Sequence, residues 1–338
     1  MSTLTQCSHF FTTDSLVETE SSAGGSIRML TSNEVPGLTN LSHVDLTLQK
    51  NGVMKPIWHP NAQKIGYCTQ GKLLVSIRAP GQSEQFTVEK GEIFYVPQGC
   101  IHHIENMLDT DGVIKFALNH GDPQTMCLSR SVHATSDAAF DLTFVPDSSF
   151  VKGLKASESH ELIGTLSGSN HASASSAHRY KFDIEKSDMA VQDKGGFFQV
   201  GLKVNLNALE GVAILGFGLN PGGAIEPHWH PNSDELVYIT KGRIRGMLHS
   251  PDGNVETQEV GPGEGFYAPA SYFHSVETSG DEKVEGIAFF NNPEMVYLGL
   301  GEALGAFSDE VLASTFNVDP DYFKSFSKPE NPLIIVPV

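Results

Sequence analysis

PHWHPNSDELVYITKG, residues 227–242, and PIWHPNAQKIGYCTQG, residues 56–71, are one element written twice. The offset is 171 residues (228 − 57), and both tryptophans of the chain, Trp58 and Trp229, lie inside it. In the second copy His228, His230 and Glu235 form an H-x-H-x4-E cluster. In the first copy Ile57 and Lys64 stand at two of these three positions, and neither suits a divalent metal. The pair of sentences predicts a duplicated fold with one working metal site and one that has lost its ligands.

The duplication reaches beyond these sixteen residues. Gly24-Gly25 precedes Ile57 by the same distance as Gly195-Gly196 precedes His228. Each element is followed by a second related block, GEIFYVPQGCIHHIEN at 91–106 and GEGFYAPASYFHSVET at 263–278. Short apolar runs such as LLVSI (73–77), bounded by glycine or proline, read as β-strands joined by tight turns. The expected class is therefore all-β dominated, with short helical segments. The expected organisation is an N-terminal domain over 1–165, a linker over 166–179 and a C-terminal domain over 180–338. The linker stretch LSGSNHASASSAHR is rich in serine and alanine without apolar periodicity, and its His171 and His178 read as solvated. Within EMVYLGLGEALGAFSDEVLAST (294–315), Leu300, Leu304, Phe307, Val311 and Leu312 recur at helical spacing and predict a helical tail.

The length of 338 residues accommodates two such domains. A formal net charge of −18 disfavours general nucleic-acid or anionic-membrane binding, which needs basic surface. The four cysteines, Cys7, Cys68, Cys100 and Cys127, show no CxxC spacing, so neither a zinc knuckle nor a disulfide framework is expected. The first twenty residues lack the basic and apolar segments of a secretory signal, and no apolar run has the length of a membrane span. A reduced, cytoplasmic protein is the expectation.

The chemistry follows from the spacing. Residues two apart on a strand project from the same face, which sends His228 and His230 together. Pro231-Asn232-Ser233 is a turn signal, and Glu235 on the returning strand adds an oxygen ligand. His274, five residues after Pro269 in the second block, supplies a third imidazole. Three imidazoles and a carboxylate suit manganese, iron, nickel or zinc, with two adjacent positions open in an octahedral shell. In the first half His59 and His102 match His230 and His274, but Lys64 places a positive charge where the cation would sit. One metal per chain is expected, in the C-terminal domain. The Lys64 ammonium there could hold an anion or a water cluster.

At these residues the chain resembles the cupin superfamily, specifically the two-cupin oxalate decarboxylase and germin-like group. Gly222, His228, His230, Glu235 and Gly242 match the first motif of that group, G-x5-H-x-H-x3–4-E-x6-G. Gly263, Pro269 and His274 match the second, G-x5-P-x-G-x2-H-x3-N, with Ser271 for glycine and Thr278 for asparagine. The first half keeps the second motif whole, in Gly91, Pro97, Gly99, His102 and Asn106. The resemblance implies a double-stranded β-helix barrel, or jelly roll, in each half, with manganese as the usual metal. It implies cleavage of oxalate to formate and carbon dioxide, with the small carboxylate substrate on the metal, a glutamate moving the proton and an arginine polarising the substrate. The glutamate lines up with Glu285. The arginine has no counterpart, since GGAIEPHWH offers Glu226 and Pro227, and an acid there would repel a dianion. The resemblance also implies a homo-oligomer, trimeric or hexameric, assembled through the helical tails. Two other classes compete with such a lyase: an iron-dependent dioxygenase or sugar-type isomerase on the same metal, and a non-enzymatic storage or ligand-binding bicupin.

Overall fold

The computed structural model describes residues 9–143, 148–156, 159, 161–168, 179–329 and 333–337. Most of the segment 166–179, including His171 and His178, lies outside the described residues, as does Cys7. The described strands form four antiparallel sheets, paired into two jelly-roll barrels. The repeat of the sequence is a repeat of strands. Gly25–Leu30, Ser42–Leu48, Gly52–Trp58 and Lys64–Gln70 recur as Gly196–Gly201, Ala213–Leu219, Gly223–Trp229 and Glu235–Lys241, each displaced by 171 (223 − 52). From the second block onward the offset becomes 172 (273 − 101), relating Ile101–Asn106 to Phe273–Thr278, Met126–Cys127 to Leu298–Gly299 and Ile163–Thr165 to Ile335–Pro337. The turns that punctuate these strands keep glycine where a left-handed backbone is required. Gly242 has φ 73°, and a Cβ there would meet the Lys283 carbonyl oxygen at 2.6 Å.

Each barrel borrows an edge strand from the other half of the chain. Phe10–Phe11 pairs with Gly265–Ala268 in the second barrel, Phe10 opposite Phe266. Lys181–Asp183 pairs with Glu92–Val96 in the first, Phe182 opposite Ile93. The exchange closes edges that would otherwise expose unpaired backbone groups. One apolar core then runs across the junction, joining Ile93, Ile114 and Phe116 to Leu236, Tyr267, Ile287 and Phe289.

Polar contacts lock the same junction. His43, fully buried, stacks on Tyr238 with ring centroids 4.9 Å apart. Its Nε2 lies 2.6 Å from an Asp45 oxygen, and the other Asp45 oxygen accepts from Lys115 Nζ at 2.7 Å. Lys115 sits 5.0 Å above the Tyr238 ring, so a first-barrel ion pair rests on a second-barrel aromatic face.

The tail is helical, but not as the single helix that the spacing of Leu300, Leu304, Phe307, Val311 and Leu312 predicts. Leu298–Gly299 is a strand, and two short helices follow, Leu300–Gly305 and Asp309–Phe316. Ser308 ends the continuity because its side chain accepts from Val311 N and caps the second helix. Leu312 packs inward, whereas Phe307 and Val311 are exposed. The first half has the same pair of helices, Leu128–Ala134 and Asp137–Thr143.

Burial pushes the Asp45 carboxyl up, but His43 and Lys115 outweigh it and hold the group at about 2, below its ordinary 3.8. A depressed carboxyl contributes stability that is present above the ordinary value and lost as pH falls toward 2. Asp45→Asn is therefore expected to destabilise the protein by about 2 kcal/mol at neutral pH. It should also flatten the loss of stability between about pH 4 and pH 2. Chemical denaturation of both proteins across that range measures the difference.

Candidate metal centre

The register of two strands builds the site. Gly223–Trp229 pairs with Phe273–Thr278, and His228 stands directly opposite His274. The ladder slips between Ile225 and His228, at Glu226-Pro227, where proline has no N–H to give and a bulge absorbs it. His230 follows the strand, and the turn after it returns the chain at Glu235, first residue of Glu235–Lys241. All four side chains are buried, and their nearest nitrogen and oxygen atoms lie within 4.8 Å of one another. The structure thus brings together the four residues that the spacing predicts as ligands.

Backbone carbonyls aim the imidazoles. Nδ1 of His228 lies 2.7 Å from the Glu226 oxygen, that of His230 2.8 Å from Val296 and that of His274 2.8 Å from Tyr272. A carbonyl can only accept, so each Nδ1 carries the proton and each Nε2 presents a lone pair to the centre. Burial first, then the neighbouring His274 and His230, holds the His228 pKa well below its ordinary value, so this ring stays neutral. Glu235 is opposed by burial, but its contacts with His230 and His274 hold it well below the usual carboxylate range. Its Oε2 lies 2.9 Å from His274 Nε2 and 3.2 Å from His230 Nε2, and the latter nitrogen has no hydrogen-bond partner. With each Nδ1 proton already given to a carbonyl, these rings can favour an ionised Glu235 only if a positive charge, a second ring proton or a cation, sits among them. A divalent cation fits this donor set on that ground.

A cavity of about 110 Å³ opens beside the ligands. Its walls are apolar, from Phe198, Val200, Leu215, Phe217, Ile225 and Met295, and they include no lysine or arginine among the described residues. Tyr297 supplies the exception. Its ring stacks on His228 at 4.4 Å and 18°, and its buried hydroxyl has no hydrogen-bond partner. Burial, with the Glu226 and Glu235 charges, raises the pKa of that hydroxyl, which therefore stays protonated.

Known proteins share this architecture. The cupin family profile matches residues 11–153 and 185–322, one copy in each barrel. The chain is a member of the cupin family. It is a bicupin of the oxalate decarboxylase and germin group. Oxalate decarboxylase OxdC of Bacillus subtilis (strain 168) is 24% identical over 321 residues, covering 92% of this chain and 83% of that protein. A probable oxalate decarboxylase of Arthroderma benhamiae is 24% identical over 334 residues, covering 93% and 80%. The germin-like protein 4-1 of Oryza sativa subsp. japonica is 31% identical over 131 residues, 36% of this chain and 52% of that protein. The structure of Bacillus subtilis oxalate decarboxylase at pH 4.6 superposes with a TM-score of 0.85 at 21% identity, over 100% of this chain and 89% of that one.

Not every predicted residue reaches the centre of this bicupin. Glu285, expected to move the proton, pairs across the sheet with Lys241, and their side chains meet at 3.5 Å in solvent. Glu235 begins the same strand six residues earlier, roughly 20 Å away at the rise of an extended chain. Strand alternation explains the miss: Val284 and Gly286 point inward, so Glu285 points out. Glu226 does not face the cavity as a repelling acid either. Its carboxylate accepts from Ile334 N at 2.9 Å and Gly301 N at 3.3 Å, tying the C-terminal segment to the bulge. Tyr297 was missed, although a comparison of the two halves finds it, since Thr125 occupies the matching position (297 − 172).

Replacing His230 or Glu235, as His230→Ala or Glu235→Gln, is expected to lower divalent-metal affinity roughly 100-fold or more. Glu285→Gln should leave metal content unchanged. Elemental analysis after dialysis separates the two outcomes.

Proposed function

We propose that this bicupin is a metal-dependent lyase of the oxalate decarboxylase type, acting on a small carboxylate with manganese held by His228, His230, Glu235 and His274. The observation that carries this reading is the convergence of three carbonyl-oriented imidazoles on one carboxylate, a donor set that suits a divalent cation. When bound, the metal supplies Lewis-acid polarisation of a carboxylate oxygen. Bacillus subtilis oxalate decarboxylase, which the chain resembles over most of its length, is described with Mn(II) centres.

The residues of this chain do the rest. The apolar walls exclude water and strengthen every electrostatic contact within the cavity. Tyr297 offers its hydroxyl as a donor to one oxygen of the bound carboxylate, the role that an arginine would otherwise fill. The expected conversion of monoprotonated oxalate is to formate and carbon dioxide, breaking the carbon–carbon bond and moving one proton to carbon.

Among the described residues no lysine or arginine lines the cavity, which favours a second reading. A neutral or aromatic substrate would suit Phe198, Phe217 and Leu215 better than a dianion, as in an iron-dependent dioxygenase or a sugar-type isomerase. Metal identity and product separate the readings. Manganese loading with formate released from oxalate supports the lyase, whereas iron with oxygen uptake on an aromatic substrate supports the alternative. In the lyase, Tyr297→Phe is expected to reduce kcat/KM about tenfold, the cost of one buried hydrogen bond. Retained manganese content in that variant would assign the loss to substrate contact.

Three further expectations stand as proposals. The chain divides near 165 and 180, as the sequence repeat places it. Exposed Phe307, Val311, Phe316 and Tyr322 on the tail offer apolar surface for a homo-oligomer. The buried free thiols of Cys68, Cys100 and Cys127 suit a reducing, cytoplasmic setting.

A further inference from the structure

The first barrel keeps the frame of a ligand site but installs an amine in it. His59 Nδ1 donates to the Gln124 carbonyl at 3.0 Å and His102 Nδ1 to the Cys100 carbonyl at 3.2 Å. These repeat the His230–Val296 and His274–Tyr272 bonds of the second barrel, one repeat earlier. Both Nε2 atoms therefore present lone pairs, and that of His59 is buried without a hydrogen-bond partner. Lys64 takes the place of Glu235 and is 3% exposed. Its Nζ lies 3.4 Å from His102 Nε2 and 4.0 Å above the Phe116 ring. It makes no ion pair with a carboxylate among the described residues. The Lys64 pKa is drawn by burial from 10.5 down to about 7, so the free amine is abundant at neutral pH. A buried, uncharged amine has the lone pair that a nucleophile needs.

Beside it is a cavity of about 50 Å³, walled by Ile27, Met54, Ile57 and Leu118. A water needs roughly 10–15 Å³ by the same kind of measure, which leaves space for about three or four heavy atoms. The occupant must be small, uncharged on entry and electrophilic. Carbon dioxide meets all three conditions.

We propose that Lys64 binds carbon dioxide as a carbamate. The amine lone pair attacks the carbon, a nitrogen–carbon bond forms, and one carbon–oxygen π bond opens to an oxyanion. One N–H proton passes to His102 Nε2, which lies 3.4 Å from Nζ and then donates back to the carbamate. No oxidant or reductant is needed. Burial first, and the charge of Lys64 in its ammonium form second, hold the His59 pKa at about 3. A carbamate on Lys64 is negative and favours protonation of the neighbouring imidazoles instead. The product restores a carboxylate beside two imidazoles, the grouping that Glu235 makes with His230 and His274.

The full-length protein equilibrated with 13C-labelled bicarbonate tests this directly. A 13C carbamate resonance is expected at one per chain, rising through about neutral pH and not near the usual lysine value of about 10.4. Alkyl trapping followed by peptide mass mapping should place the label on Lys64. Lys64→Met should abolish the signal while leaving the metal content of the second barrel intact. Absence of label at Lys64 in the unaltered protein, or label spread equally over exposed lysines, overturns the proposal without reference to any variant. The second barrel's activity does not enter either outcome.

Discussion

Each of the five imidazoles at the two barrel sites is held by a hydrogen bond from its Nδ1 to a main-chain carbonyl, and the functional geometry descends from that constraint. The carbonyls of Glu226, Tyr272 and Val296 are fixed by strand pairing and by the loop that follows the barrel. They settle the tautomer, and the tautomer settles where the lone pairs point. Once three lone pairs and an ionised carboxylate share one buried volume, a cation is the economical way to relieve them. The scaffold comes first in this chain of causes, and the ligand set is its consequence.

The two barrels show what happens when the constraint is kept and the occupants change. Gln124 and Cys100 still orient His59 and His102, though Ile57 and Lys64 have replaced two ligands. Thr125 contacts His59 Nδ1 at 3.3 Å, where Tyr297 stacks on an imidazole in the other copy. Backbone conformation is conserved more strictly than side-chain type. Gly99 and Ser271 occupy matching turns with φ of 73° and 68°, as Asn51 and Gly222 do with 60° and 73°. Ser271 accepts a left-handed conformation at a cost of about 1 kcal/mol, and the turn persists.

Much of this was legible in the sequence because it is written in short covalent spacings. The residues His228, His230 and Glu235 are bound to a strand, a turn and a strand, and local geometry alone brings them together. His274 was legible because its block is repeated. Glu285 was misread because a strand has two faces and one residue of misalignment exchanges them. Glu226 was misread because its partners, the amides of Gly301 and Ile334, lie far along the chain. The split in the tail helix hinged on a single serine, whose capping role competes with the apolar period around it.

The exchanged edge strands impose an order on the making of the molecule. Phe10 pairs with Phe266, a separation of 256 residues (266 − 10), so Phe10–Phe11 waits for the second barrel to be made. Glu92–Val96 in turn has no mate on that side until Lys181–Asp183 is made. A nascent first half therefore carries an open sheet edge until that pairing is made. In the finished protein the same arrangement works as a clasp: neither barrel can loosen without drawing a strand out of the other, so the two halves should come apart in a single cooperative step.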